Sequence, residues 1–469
     1  MNLFTKSMLK MSEFAALTWP LADKLAREKL EIDENQSLWA TYTPDYRPTD
    51  PLREPISADL VIIGGGFTGT STAYHFSRRY PEKRVVLLEA KSLGNGASGR
   101  NGGMMLNWVT DALSHATPEM TRRVYDVTNE GIDRIIEIIN RHQLKVDYRR
   151  DGTLEVYTST ERAEAAHEEV EAYTSLGINH QFLRKDVLKK DLNLIGAEGA
   201  ILDPNGGQLN GAQLTRAMRD VLIEQGVEVY EQTPVIDIKE GREISLSTPY
   251  AEVKAKAIVL ATNGYTGKLG YFKDALFPLH SHVYATDVIS DADLKSMGWN
   301  RYAGYSDDYD RISYSVLTSD KHIVFGGGSN NSYAYLYNNR TAYRDSVNRA
   351  AKAFREMEGT MQEYLPYSKR FPIKYRWTGT LGITLRRNNL MGVCGEYRNV
   401  FYAIGYCGHG VTLANVAGVV LTDAYSGDDE RWRGLPFYMP EYGRIPPEPF
   451  RWIGYQLFTR LTGKSPRAY

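Results

Sequence analysis

Along the chain, short unbroken apolar runs give way to helical and then two-residue periodicities, and their order divides the sequence. Leu60 to Ile63 and Val85 to Leu88 are apolar runs of the kind that form strands buried on both faces. Thr70 to Tyr80 between them reads as a helix. Thr117 to His142 and Glu161 to Leu176 have amphipathic helical patterns, with Gly152 to Tyr157 as an alternating strand between them. Asp203 to Leu214 predicts a turn leading into a helix that ends near Gly226, followed by strands over Glu228 to Ile238 and Val253 to Ala261. From Phe272 to Gly328 the period falls to two, in HSHVYATDVIS, YDRISYSVLTSD and KHIVFGGG. That pattern predicts antiparallel hairpins with one solvated face. Arg340 to Leu365 reads as a charged helix. Val400 to Ile404 is again an apolar strand, and Val411 to Tyr425 a helix with small residues on one face.

The junctions between these elements carry the chemistry. The first strand meets Gly64, Gly66 and Gly69 in the spacing G-x-G-x-x-G, and the second ends on Glu89. Strand, glycine turn, helix, strand and terminal acid in this order form the dinucleotide-binding signature. Gly64 permits the tight turn, Gly66 admits a pyrophosphate to the backbone, and Gly69 lets helix and strand approach. The helix N-terminus faces the phosphates, and Glu89 is placed for an adenosine ribose. A glycine-rich turn that merely packs well is the bland alternative, and the motif by itself does not choose between FAD and NAD.

Residues 91–103 are rich in Gly, Ser and Asn and predict a loop that lays backbone against a planar ligand. Arg100 within it is either a solvated loop arginine or a cation beside a cofactor. Ala261-Thr262-Asn263-Gly264 closes a buried strand with small residues, as a doubly wound sheet presents backbone to a ligand. Gly405 to Gly410 is a second glycine-rich strand-to-helix turn, and His409 stands in it at a helix start. Tyrosines gather between Tyr302 and Tyr337. They suit a sheet surface, or the walls of a pocket for an amine.

Composition narrows the picture. The chain has 469 residues, too many for one ordinary core, with 42% hydrophobic and 24% charged residues. A formal net charge of −1 gives no electrostatic case for nucleic acid. The two cysteines, Cys394 and Cys407, form no C-x-x-C, which argues against a disulfide scaffold and against a metal site. No apolar run approaches membrane-spanning length, so a cytoplasmic location is expected. Before the first strand, Phe14 to Ile32 looks helical and Tyr42 to Pro55 reads as an irregular strap.

The dinucleotide motif, ASGRNGG after the acid, GTL at Gly152, ATNGYT, IVFGG and GYCGHGVTLA together resemble the flavin amine oxidases related to D-amino-acid, glycine and sarcosine oxidases. The resemblance runs from about Ser37 to Gly427, and Ser98 to Gly103 and Gly405 to Leu413 are most like the gamma-glutamylputrescine oxidase-like branch. It implies an α/β fold in which a Rossmann-type FAD-binding domain is interleaved with a substrate domain built on a mixed antiparallel sheet. The division expected is an N-terminal extension (1–54), an FAD domain (55–110, 195–270, 370–430), a substrate domain (111–194, 271–369) and a tail (431–469).

The resemblance implies FAD, and since neither Cys394 nor Cys407 matches the cysteine through which monomeric sarcosine oxidases attach it, noncovalent FAD is expected. Its expected contacts are Gly64, Gly66, Phe67, Thr68, Gly69, Glu89, Ala90, Ser98, Gly99, Arg100, Asn101, Gly102, Gly103 and Met104. Val235, Ala261, Thr262, Asn263, Gly264, Gly379, Gly405, Gly408, His409, Gly410, Val411 and Thr412 complete the set. His409, Trp377, Tyr314 and Arg100 are candidates for the flavin edge or substrate pocket, and no catalytic side chain stands out. The family's carboxylate-binding arginine in W-x-G-L-R-P has no counterpart in Trp377 to Gly382, and Thr412 stands where monomeric sarcosine oxidases carry a lysine. An amine without a carboxylate beside the reacting carbon is therefore expected as substrate. Its C–N bond would be oxidised to an imine and then an aldehyde, with O2 or another acceptor taking the electrons. Arg386 and Arg387 keep an amino-acid oxidase or deaminase open. A quinone-linked dehydrogenase and a flavin-binding protein without turnover are further alternatives. The tail places Phe450, Ile453, Leu457 and Leu461 at helical spacing beside basic residues. Such a helix docks on its own chain or a second subunit, or rests peripherally on a membrane.

Overall fold

The structure is a computed structural model that describes residues 3–22, 30–107, 116–309 and 311–462. Among the described residues, an eight-stranded sheet holds the glycine turn. Its centre is Ile56–Ile63, parallel to Val85–Leu88 on one side and to Glu252–Leu260 on the other. Glu228–Tyr230 extends it beyond Val85–Leu88, and Val400–Ile404 joins in parallel alongside the end of Glu252–Leu260. Every residue of Val85–Leu88 and Val400–Ile404 is buried, as their apolar runs predict. The helices Phe67–Arg79 and Gly410–Ser426 pack closely on one face. A Cβ on Gly418 would lie 2.2 Å from Ser71 Oγ, and that hydroxyl donates to the Asn415 carbonyl at 2.5 Å.

The second sheet has nine strands among the described residues and is built around Leu276–Thr286. Ile373–Thr384 pairs along one edge of that strand, while Ile323–Gly327 and Tyr333–Tyr335 share the other. The expected solvated face is not there. Leu276–Thr286 is buried at every position except half-buried Phe277. Alternate side chains enter two cores: Tyr284 and Phe325 pack with Phe354 and Met357, whereas Val283, Ala285, Val324 and Trp377 pack against Leu38 and Trp39. One core lies under helix Ala351–Tyr364 and the other under residues 30–55, which together form the strap before the first strand. His, Ser, Thr and Tyr within these strands read as solvated, yet tertiary contacts cover them.

Strand pairing also redraws the expected segments. Gly199–Asp203 and Ile373–Thr384 join the second sheet, although the sequence groups them with the first. The residues 340–365 are not one helix. Thr341 and Arg340 bond to Glu31, and helix begins only at Ser346–Arg349, then Ala351–Tyr364. The 91–103 loop contains one 3-10 turn, Ala97–Gly99. The N-terminal helix Leu3–Ala22 begins well before the expected 14–32; of that range, 23–29 lie outside the described residues and 30–32 are not helical. Its Trp19 indole donates to the Ile445 carbonyl at 2.5 Å, and its Phe14 ring meets Phe450 edge-on at 5.1 Å. The C-terminal helix Phe450–Thr462 docks on its own chain, where Arg451 is 1% exposed and Tyr455 donates to the Tyr333 carbonyl. No helix among the described residues is long and apolar enough to cross a membrane.

Candidate active site

The glycine turn is held by contacts local in the chain. Gly64 has φ 108°, open to glycine at little cost, and its N–H donates to the Leu88 carbonyl at 2.8 Å. A Cβ on Gly69 would stand 1.8 Å from the Gly64 carbonyl oxygen, so helix and strand meet backbone to backbone. Glu89 accepts from the Gly65 N–H at 2.7 Å and the Lys91 N–H at 2.8 Å. Burial pushes its carboxyl above the usual range, and those two N–H groups oppose the shift. Ser98 Oγ accepts from the Phe67 N–H at 2.9 Å, bringing the 91–103 loop over the helix start. Ala261, beside Gly64, ends its strand with an N–H to the Ile63 carbonyl. Ala90 is half-buried and Val235 buried near the end of this sheet.

Arg100 is buried, and four of its N–H groups are taken by protein. Nε donates to Asn95 O at 2.6 Å, Nη1 to Asn35 Oδ1 at 2.9 Å and Thr378 O at 3.0 Å, and Nη2 to Asp33 O at 3.1 Å. Its guanidinium thus ties the loop to the strap and to strand Ile373–Thr384. Ser37 Oγ donates to Gly99 O, and Trp39 Nε1 to Asn101 O, each at 2.7 Å. Trp377 is fully buried beneath the loop, its indole donating to Arg100 O at 3.0 Å. Gly379 lies against Arg100 Cβ, and Met104 begins a short strand paired with Gly207–Leu209. The Tyr314 ring covers Gly102, where a Cβ would lie 2.1 Å from it.

The far wall is the second glycine turn. Gly405 donates to Asn263 Oδ1 at 2.9 Å, Cys407 N–H to Gly382 O at 3.1 Å, and the Tyr406 hydroxyl meets Thr68 Oγ1 at 2.6 Å. Gly264 packs on the Gly382 backbone. His409 is the N-cap of helix Gly410–Ser426, whose first turn includes Val411 and Thr412. Thr412 is buried, and its hydroxyl has no hydrogen-bond partner. The structure therefore gathers the expected segments around the two glycine turns, with Arg100 and Trp377 directed into the protein's own framework.

Several residues here carry no local signal in the sequence. Asp33 is buried beneath the loop, with His280 at 3.2 Å, the Thr378 hydroxyl at 2.8 Å and the Asn35 amide at 3.3 Å. Burial works to raise Asp33, but His280, Arg100 and Thr378 hold it below the usual carboxylate range. Glu231, also buried, accepts from the Tyr46 hydroxyl, the Thr49 N–H and the Leu93 N–H, fastening the strap behind the loop. Apart from Asn35, their partners stand far away in the chain, and only a polar cluster at 33–37 before Trp39 hints at them. No group of side chains among the described residues is arranged to hold a metal ion.

Residues 59–424 match the family model described as DAO, FAD dependent oxidoreductase. The chain belongs to this family. It is 30% identical over 442 residues to gamma-glutamylputrescine oxidoreductase of Escherichia coli (strain K12), covering 92% of this chain and 99% of that one. The fold is shared with the crystal structure of glycine oxidase from Geobacillus kaustophilus, at a TM-score of 0.66 and 19% identity over 79% of this chain and 95% of that chain. L-proline dehydrogenase from P. horikoshii gives the same TM-score and identity over 80% of this chain and 94% of that chain. The chain is thus an FAD-dependent oxidoreductase of the DAO family. Its residues fit the cofactor: the Gly64 to Gly69 cradle leaves backbone exposed where side chains would clash, Glu89 has a carboxylate at the strand end, and the Thr412 hydroxyl awaits a partner.

Proposed function

We propose that the chain oxidises the C–N bond of an N-alkyl amine or polyamine-like substrate whose reacting carbon bears no carboxylate. FAD, when bound, supplies the two-electron acceptor that takes hydride from the carbon next to nitrogen. The residues expected to hold it are those of the two glycine turns and the Ser98 to Met104 loop. The N–H groups of Gly408 to Thr412, at a helix start, are suited to stabilise negative charge at a ring carbonyl. The strap and the Asp33–Arg100–Thr378 network fix the loop against which the ring would lie, so this chain's contribution is orientation and exclusion of water. The oxidised substrate leaves as an imine that water splits to an aldehyde and an amine, and O2 is the favoured final acceptor, giving H2O2.

One observation carries the choice of substrate. Trp377 to Gly382 lies inside strand Ile373–Thr384 beneath the loop and offers no arginine, and Thr412 offers no lysine. Of the two arginines that follow, Arg386 is exposed and faces Glu441 at 4.0 Å, and Arg387 is half-buried five positions beyond Gly382. At those two positions an α-carboxylate would thus lack its bidentate or point-charge partner. The relation to gamma-glutamylputrescine oxidoreductase supports an amine of that kind. Anaerobic addition of amines and α-amino acids to the purified yellow protein tests this. Bleaching by amines and not by α-amino acids is expected, with colour and H2O2 returning in air. Bleaching by α-amino acids alone would establish an amino-acid oxidase instead, and failure of air to restore the colour would exclude O2 as acceptor.

A further inference from the structure

Among the described residues three arginines are almost wholly buried, and they differ in what they bond. Arg100 spends four N–H groups on protein acceptors. Arg451, 1% exposed, donates to the carbonyls of Pro446, Leu276 and Lys273 and to Asn339 Oδ1. Arg311 is 7% exposed and hydrogen-bonds the Tyr455 side chain, and its Nη2 is buried with no hydrogen-bond partner. The guanidinium stands over the rings of Tyr455 and Phe458, 6.0 and 5.9 Å from their centroids, one turn apart on the C-terminal helix. A buried guanidinium with an unpartnered nitrogen is costly unless an acceptor completes it. Among the described residues, nearby acids are engaged. Asp307 accepts from Ser313 and Tyr364, Asp308 pairs with Arg162 at 2.5 Å, and Glu448 accepts from Tyr335 and the Asn338 N–H.

The position of Arg311 links it to the site. It precedes strand Ser313–Leu317, three residues from Tyr314, whose ring covers Gly102 of the Ser98 to Met104 loop. Three residues of chain span at most about 10 Å. We propose that Arg311 receives a carboxylate carried at the far end of the amine substrate, several bonds from the carbon that is oxidised. This rests on the amine-oxidase reading above and deepens it. The unpartnered Nη2, with its two N–H groups, suits a charge-assisted hydrogen bond to a carboxylate oxygen. Tyr455 and Phe458 hold the guanidinium by its face and offer apolar surface to the methylenes between the two ends. The same arrangement explains how the substrate is oriented with no cation on Trp377 to Gly382: the charge that selects it is recognised at its other end.

The test uses holoenzyme and two matched pairs: gamma-glutamylputrescine and its carboxamide, and 4-methylaminobutanoate and its carboxamide. Anaerobic stopped-flow reduction gives the half-saturating concentration and the limiting rate for each. Wild type should need about 30-fold less of a carboxylate than of its carboxamide, the worth of one charge-assisted pair. Arg311→Gln should abolish that discrimination while the limiting rate changes less than about threefold, and Arg311→Lys should keep part of it. The visible spectrum reports whether each variant retains flavin, and Arg311→Lys preserves the buried charge if the glutamine variant does not fold. Equal use of both members of each pair by wild type, or unchanged discrimination in Arg311→Gln, overturns the assignment and leaves amine oxidation standing. Reduction by no amine, carboxylate-bearing or not, overturns the amine-oxidase reading itself and this assignment with it.

Discussion

The glycine-turn half of the site and the strap half are assembled over different distances in the chain. In the first, Gly65 bonds Glu89 across 24 residues and Phe67 bonds Ser98 across 31. In the second, Arg100 reaches Thr378 across 278 residues, Trp377 returns to Arg100 across 277, and Thr378 meets Asp33 across 345. One contiguous stretch can specify the first half, because each partner is supplied by the next element of the same βαβ unit. The second half closes only when the N-terminal strap, the second sheet and the C-terminal third have met. Loss of a single strap residue should therefore act on stability and on the site together, whereas damage to the glycine turn should act first on cofactor retention.

The largest expected effect is Gly69→Ala, since the added Cβ would lie 1.8 Å from a backbone oxygen that has nowhere to go. It should purify without flavin absorbance, and a yellow variant at full occupancy would break the account of the turn. Next is Asp33→Ala, which takes the buried carboxylate away from His280, Thr378 and Asn35 and its negative charge away from Arg100, whose bond to the Asp33 carbonyl remains. Removing one partner from such a network costs about 3–5 kcal/mol, measured by denaturant unfolding, and flavin should be lost at the same denaturant concentration as structure. Separate transitions would show that the strap is not part of the site's framework.

A smaller effect is set by pH. His282, buried on the Leu276–Thr286 strand, hydrogen-bonds to Ser332 O, and burial with nearby His280 lowers it to about 4. Its folded value lies below the unfolded one, so the unfolded chain binds a proton that the folded chain refuses. Stability should then fall as pH drops from about 6.5 towards 4, by about 2 kcal/mol at pH 5 from this residue. His282→Gln should flatten that part of the pH profile, and a variant as acid-sensitive as wild type would remove His282 from the explanation.

Much of this molecule is legible in its amino-acid order. Unbroken apolar runs gave the parallel strands Ile56–Ile63, Val85–Leu88 and Val400–Ile404, because a strand covered on both faces needs no polar side. The spacing of Gly64, Gly66, Gly69 and Glu89 is equally local, since turn geometry and helix packing depend on neighbours in the chain. Period-two alternation located the strands of the second sheet, but alternation reports that a strand has two faces and not what covers each. Only the tertiary structure decided that both faces are buried, that Ile373–Thr384 joins that sheet, and that Arg100 bonds the strap. It likewise decided that Arg311 is buried against a helix that begins 139 residues later, at Phe450. A side chain's partner lies in no periodicity when it is hundreds of residues away, because burial and the hydrogen bonds it forces exist only once distant segments have packed.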